Sequence, residues 1–255
     1  MPEIQLQTSL LVDEHKIATI TIANEQRLNC LSSALARQLT AVFTELAADS
    51  ELRVVRLQGA GRRAFIGGAD IVEMAALNPH SAKVFINDLH QTCAAIRNLP
   101  VPVIAQIAGY CLGVGLEIAA SCDLRIADKN ASFAMPEVQI GLPSVIEAAL
   151  LPRLIGWGRA SRLIYTGESI DAATACNWGL VEQIVEPDAL PVTVENTMTA
   201  IVRADANAIR TQKQLLNDWQ TLSLDESIRH SIEIFPQSFE TDQARQRMRA
   251  FLADK

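Results

Sequence analysis

Apolar and polar positions alternate along residues 4–7 and along Ile17-Ala18-Thr19-Ile20-Thr21-Ile22. A period of two predicts two opening strands, joined as a hairpin near residues 13–15. The period then changes: Leu35, Leu39, Val42, Phe43 and Leu46 recur at helical spacing, and Ser32 or Ser33 offers the side-chain oxygen that caps such a helix. Residues 53–57 predict a buried strand, followed by a glycine-rich turn over 59–69. A second amphipathic helix is predicted over 81–99, stopped by Pro100 and Pro102. Val103–Ile107 reads as another short buried strand that feeds a second glycine turn and a helix over Val114–Ser121. Strand, glycine turn and helix in repeated order imply right-handed crossovers and a largely parallel sheet, hence an α/β fold.

Beyond Pro143 the pattern becomes helical, with segments near 145–155, 157–166, 171–178, 188–203, 205–219, 223–239 and 241–254; only residues 180–185 look extended. This divides the chain into a core over 1–195 and a helical C-terminal region over 196–255. Ile228, Ile232, Phe235, Phe239, Met248, Phe251 and Leu252 are more apolar positions than one monomeric helix pair buries, which marks the tail as a packed layer or an oligomerisation element.

Composition narrows the partners. Of 255 residues, 49% are hydrophobic and 20% charged, which suits a well-filled core; the formal net charge of -7 argues against nucleic acid, which needs a basic face. Cys30, Cys93, Cys111, Cys122 and Cys176 are scattered with no CxxC pair, as small buried residues in a reducing compartment would be; of these only Cys111 lies in a glycine turn with a claim on a site. No histidine clusters with another histidine or cysteine, so a metal is not expected. Met1-Pro2-Glu3-Ile4-Gln5 lacks a secretory pattern and no run is long enough for a membrane span, so a cytoplasmic protein is expected.

The candidate chemistry gathers at the two glycine turns, Phe65-Ile66-Gly67-Gly68-Ala69-Asp70 and Gly109-Tyr110-Cys111-Leu112-Gly113-Val114-Gly115-Leu116-Glu117, with a second acid at Pro136-Glu137. Glycines let backbone N–H groups approach a ligand, and two N–H groups aimed at one point stabilise a developing oxyanion. Two nearby carboxylates manage a proton and a water. Plainer readings exist for each: Glu117 as a buried acid paired with Arg125, Glu137 as a solvated turn residue, Asp70 as a helix N-cap, Arg62 and Arg63 as a solvated turn or a phosphate contact. Gly59-Ala60-Gly61-Arg62-Arg63-Ala64 fits a dinucleotide-binding pattern, but two more glycines fall where the helix should run and no acid ends a second strand about twenty residues on.

The segments Arg27-Leu28-Asn29-Cys30-Leu31, 64–74, 102–123, Pro136-Glu137, 151–156 and 166–181, with Thr241-Asp242 and Arg249-Ala250-Phe251-Leu252, together resemble the enoyl-CoA hydratase/isomerase (crotonase) family from end to end. The resemblance implies a crotonase-like spiral of ββα units followed by a helical trimerisation region, often stacked as two trimers. It places the oxyanion-hole N–H groups at Ala69 and Val114 and the acids of hydration at Glu117 and Glu137. It places Gln26, Arg27, Leu28, Ala64, Gly68, Asp70 and Ile71 where members hold the nucleotide and pantetheine of coenzyme A, completed by Lys213 or Lys255 and by Phe251. Coenzyme A then arrives as part of an acyl-CoA substrate, with no separate cofactor. The implied reaction is syn addition of water to an enoyl-CoA thioester, favoured over a Δ3-Δ2 isomerase because both acids are present. The same resemblance is compatible with a thioester hydrolase or lyase that uses the same hole, and with a coenzyme A-binding homologue of little turnover.

Two features depart from that family's pattern. Val114 stands where a glycine is usual, keeping its N–H but adding a β-branched side chain expected to narrow the space beside the thioester or press on Glu117. The usual glycine-rich turn after the second acid is replaced by Gly141-Leu142-Pro143-Ser144-Val145-Ile146-Glu147-Ala148, which brings in a third acid, read as structural.

Overall fold

The computed structural model describes residues 2–253. The opening alternation becomes the hairpin β1 (Glu3–Leu11) and β2 (His15–Ala23), paired in register from Glu3 with Ala23 to Leu11 with His15. Helix α1 (Ser33–Ala47) follows, and the Ser32 hydroxyl accepts from the Leu35 N–H as its cap. From there the chain lays down strands in pairs, one for each of two sheets: β3 (Leu52–Gly59) with β4 (Ala64–Ile66), β5 (Val103–Ile107) with β6 (Tyr110–Leu112), and β7 (Leu124–Asp128) with β8 (Ser132–Ala134). Helices α2 (Ile71–Met74) and α3 (Pro79–Asn98) separate the first two pairs, and α4 (Val114–Ser121) the second and third.

A six-stranded sheet in the order β1-β2-β3-β5-β7-β10 and a four-stranded sheet in the order β4-β6-β8-β9 result, with β9 at Ile170–Asp171 and β10 at Gln183–Val185. Only the hairpin and the β8–β9 pair are antiparallel. The strand alternation sorts the core. Ala18, Ile20, Ile22, Val55, Leu57, Val103, Ala105 and Ile107 face the main core, where α1 and α3 pack. Ile17, Val54, Ile104 and Ile126 point to the opposite face. That second face is covered by α8 (Leu190–Arg203) through Leu190, Val194, Met198 and Val202. The division expected between residues 195 and 196 therefore falls inside a continuous helix that belongs to the core.

The remaining helices are α5 (Leu151–Ile155), α6 (Trp157–Thr166), α7 (Ala172–Trp178), α9 (Ala206–Trp219), α10 (Leu224–Ile234) and α11 (Gln243–Ala253). The last two leave Ile228, Ile232, Met248, Phe251 and Leu252 exposed, as is Phe235 directly after α10. Among the described residues no helix is long and apolar enough to cross a membrane.

Candidate active site

The two glycine turns meet because the strands before them are neighbours. In the parallel β4–β6 pair Ile66 is registered with Cys111, so Gly67-Gly68-Ala69 and Gly113-Val114 leave the four-stranded sheet side by side. Two glycines make the approach possible. Gly113 adopts φ 53° and ψ -123°, a conformation a side chain disfavours, and a Cβ there would lie 2.5 Å from Glu137 Oε1. A Cβ at Gly115 would run into the Ile66 carbonyl oxygen, so α4 packs this closely on β4 only with glycine at that place.

Backbone pairing aims the N–H groups. Leu31 spends its N–H on Gly68 O at 2.9 Å and its C=O on the Asp70 N–H at 2.8 Å. In such a parallel bridge the residue between, Ala69, turns its own N–H to the other side. Val114 is the first residue of α4, where an N–H has no acceptor within the helix and the helix dipole is positive. These are the two N–H groups expected to form the oxyanion hole.

The acids reach this point from different walls. Glu117 lies on the first turn of α4 and is 4% exposed. Its Oε1 accepts the Ala148 N–H at 3.1 Å. Burial pushes its carboxyl up to about 8, with the charges of Glu137 and then Glu147 adding to the rise against the opposing Ala148 hydrogen bond. Glu137 opens the 3-10 turn Glu137–Ile140 after β8; one carboxyl oxygen sits against Gly113 and the other accepts from Ser144 Oγ at 2.8 Å. The structural pairing of Glu117 with Arg125 does not occur: the Arg125 guanidinium is bound to Glu182 and to the carbonyls of Leu180 and Cys122. A buried acid without a cation, beside a second acid and a helix N-terminus, suits proton transfer.

The coenzyme A candidates divide. Gln26, Arg27 and Leu28 lie on a loop tied to the first glycine turn by Gly67 N–H to Leu28 O at 2.8 Å and by Arg27 to Asp70 at 2.8 Å. Asp70 also caps α2, accepting from Val72 and Glu73 N–H, and Ile71 beside it is largely exposed. These residues and Gly68 form one surface beside the hole. Ala64 does not join it: it is buried in β4 and its C=O is taken by the Asn29 amide at 2.7 Å. Lys213 is a correction as well. It is 4% exposed on α9, and its ammonium bonds Asp123 at 2.8 Å, Val101 O at 2.9 Å and Ile96 O at 3.3 Å, so all three donors are committed inside the fold. Lys213→Ala is expected to destabilise the fold by about 3 kcal/mol, the usual cost of stranding a charge partner. Denaturant unfolding measures that loss, and unchanged acyl-CoA affinity in the folded variant confirms that the lysine is structural. Phe251 lies on α11 and is 63% exposed; Lys255 lies outside the described residues.

Val114 differs from expectation too. It is 5% exposed and belongs to the main apolar core cluster, so its side chain has apolar neighbours behind the N–H that opens α4. Val114→Gly is expected to lower stability by about 2–4 kcal/mol, from the lost packing and the helix glycine. The dependence of turnover on acyl-chain length should stay unchanged, as a chain-length series would show. Cys111 has no part in the chemistry: it is fully buried in β6, where burial raises its thiol well above the usual range. A cleft of about 340 Å³ lined by Gln58, Arg62, Gln106 and Asp128 holds neither acid, and Arg62 pairs there with Asp188 at 2.7 Å. Three partners of the acids had no sequence signal: Ser144, the Ala148 N–H, and His90, whose Nδ1 lies 2.9 Å from Glu147 Oε1.

The chain is similar to known proteins along nearly its whole length. Residues 13–255 match the enoyl-CoA hydratase/isomerase family. A short-chain enoyl-CoA hydratase of Clostridium acetobutylicum is 36% identical, over 98% of this chain and 96% of that protein. A crotonyl-CoA hydratase of Syntrophomonas wolfei is 32% identical, over 95% and 94%. Among solved structures, an enoyl-CoA hydratase from Bacillus anthracis superposes with a TM-score of 0.92 at 31% identity, covering 99% of this chain and 96% of that one. With a crotonase-like fold, two glycine turns that carry the N–H pair, and two acids beside it, the chain belongs to the enoyl-CoA hydratase/isomerase family.

Proposed function

We propose that this chain, an enoyl-CoA hydratase, adds water syn across the α,β double bond of an acyl-CoA through the Ala69 and Val114 N–H groups and the Glu117–Glu137 pair. The observation that carries the reading is that two acids from different elements, Glu117 on the first turn of α4 and Glu137 with its carboxyl against Gly113, gather at one helix N-terminus. A thioester oxygen held by the two N–H groups becomes an enolate oxygen in the transition state, and one such donor contributes about 3–4 kcal/mol. Glu137 lies against Gly113, next to the hole, and so serves the α-carbon that adjoins the thioester carbonyl. Glu117 lies one turn further along α4 and serves the water that attacks the β-carbon.

The chemistry needs one proton on the acid pair. Glu117 removes a proton from water as the oxygen bonds to the β-carbon, and Glu137 delivers one to the α-carbon. In the empty site the raised carboxyl of Glu117 holds the shared proton, which is the state set for the reverse reaction, loss of water. Hydration starts once that proton has passed to Glu137, which leaves Glu117 free to act as the base. An isomerase needs only one acid, so the presence of both at the hole favours hydration. The same reading makes coenzyme A part of the substrate and places the reaction in the cytoplasm. Exposed Ile228, Ile232, Phe235, Met248 and Leu252 on and after α10 support a trimer or a dimer of trimers.

The test is crotonyl-CoA with purified protein, following loss of the conjugated enoyl-thioester absorbance. Rapid loss that depends on both acids supports the reading. Bound crotonyl-CoA that stays intact, without exchange of its α-hydrogen into deuterated solvent, would turn the assignment to a binding homologue.

A further inference from the structure

We propose that Glu147 is a positioning residue of this site: anchored by His90, its carboxylate sets on which of the two acids the shared proton rests. The inference rests on the hydratase reading for its role and on independent geometry for its placement. Glu147 lies in the 3-10 turn Ile146–Leu150, directly before Ala148, whose N–H holds Glu117 Oε1. One turn of chain therefore both grips the catalytic acid and places a second carboxyl behind it. The turn is held in a costly shape. Ile146 sits at φ 43°, a left-handed conformation that a β-branched residue rarely adopts. Strain of this kind persists where the surroundings enforce it, and it often marks a functional segment.

The surroundings of Glu147 are specific. Its side chain is 5% exposed, and Oε1 lies 2.9 Å from Nδ1 of His90 on α3, whose ring is partly open to solvent. Oε2 is buried with no hydrogen-bond partner among the described residues. The titratable groups that face it are His90 and Cys93 from α3 and Glu117 from α4, while Glu137 acts on Glu117 from the other wall. Arg153 of α5, the helix that follows, is turned away to the Gln220 carbonyl. A second carboxyl with an unpartnered buried oxygen, on the residue before the one that grips Glu117, favours a proton on Glu117 by like-charge repulsion. Ordinary core packing does not need an acid there, since an apolar residue would fill the space without desolvating a charge.

The experiment compares Glu147→Gln with Glu147→Asp by two readouts. The first is the infrared band of the protonated carboxyl of Glu117, assigned by its disappearance in Glu117→Gln and followed against pH without substrate. The second is the pH profile of crotonyl-CoA kcat/KM. With Glu147→Gln the pH at which the band is lost and the alkaline limb of kcat/KM both move down, by less than burial or Glu137 would account for, since Glu147 adds less to the raised carboxyl than either. Glu147→Asp, which keeps the charge, holds them near the wild-type position. A lower melting temperature with neither curve moved would overturn the proposal and leave Glu147 a structural pin. Should the glutamine variant fail to fold, a shifted band in the aspartate variant or an unshifted one after His90→Phe would overturn it equally. If the wild-type protein proves inactive, the hydratase reading fails, and the infrared titration still decides what Glu147 does.

Discussion

Replacing Glu137 with glutamine is expected to lower crotonyl-CoA turnover at least a hundredfold, with the affinity for a saturated acyl-CoA nearly unchanged. Glutamine has the shape of glutamate, and its oxygen still accepts from Ser144 Oγ, which holds Glu137 at 2.8 Å. What it lacks is a proton to deliver to the α-carbon, and general acid–base catalysis of this kind contributes about a hundred- to ten-thousandfold. Because the interaction exists only in the transition state, kcat and kcat/KM should fall together. Exchange of the product's α-hydrogen with deuterated solvent should fall with them, since Glu137 is the acid beside the hole. A variant that hydrates at near-normal rate, or that exchanges normally, would move the α-carbon proton to another group. Butyryl-CoA binding by calorimetry supplies the affinity control, and a large loss there would mean that the substitution had disturbed the hole itself.

How much of this was legible in the chain depends on the length of each pattern. Val103–Ile107 and Val114–Ser121 emerge at their predicted bounds, because an apolar run preceded by proline and followed by the glycine turn, and a helix opened by glycines, have distinct ends. Trp157–Thr166 likewise matches its predicted span, closed by Gly167 in the left-handed region. In the second sheet Ser132–Ala134 falls within the short extended piece expected at 131–134, but two other short strands escaped. Tyr110–Leu112 is three residues inside the glycine turn, too few to show a period, and Ile170–Asp171 is two. Leu124–Asp128 hides behind Arg125, which reads as a surface residue but is buried at 4% because Glu182 and three carbonyls receive its guanidinium.

Site residues followed the same logic. Resemblance placed Glu117 and Glu137, and their spacing from the glycines made them physically sensible. Lys213 was misplaced because a lysine buried by its partners looks, in sequence, like any helical lysine; only the fold brings Asp123 and the Val101 carbonyl to it. His90 and Glu147 are separated by 57 positions, so nothing local announced their contact. The dinucleotide-like pattern at 59–64 could be set aside in the sequence, because two more glycines fall where its helix should run and no acid ends a second strand. Asn29, buried with its amide on Ala60 O and Ala64 O, folds the 24–31 segment back over that turn, where a dinucleotide would need open space.

Glu117→Gln should abolish hydration and at the same time make the protein harder to unfold at alkaline pH. The first effect follows from the loss of the base that takes the water proton. Residual α-hydrogen exchange through Glu137 should survive in this variant, which separates the two acids. The second follows from linkage. The Glu117 carboxyl stands at about 8 in the folded chain against 4.5 as the ordinary value. Between those values the folded state keeps a proton that the unfolded state has released, so the contribution of this group to stability falls as pH rises through that window. Above about 8 a charge is buried beside Glu137 and Glu147, at a cost of about 2–4 kcal/mol relative to pH 4. Glutamine cannot ionise, and its oxygen still accepts the Ala148 N–H that Glu117 Oε1 receives at 3.1 Å. The melting temperature of the variant should exceed that of the wild type by roughly 5 °C at pH 8.5, and the gap should close toward pH 4.5. A gap that is independent of pH would show that the gain comes from packing and that Glu117 carries no raised proton. A variant less stable than wild type at every pH would mean that the new amide hydrogens find no acceptor, and that the proton on Glu117 is itself a hydrogen bond the fold needs.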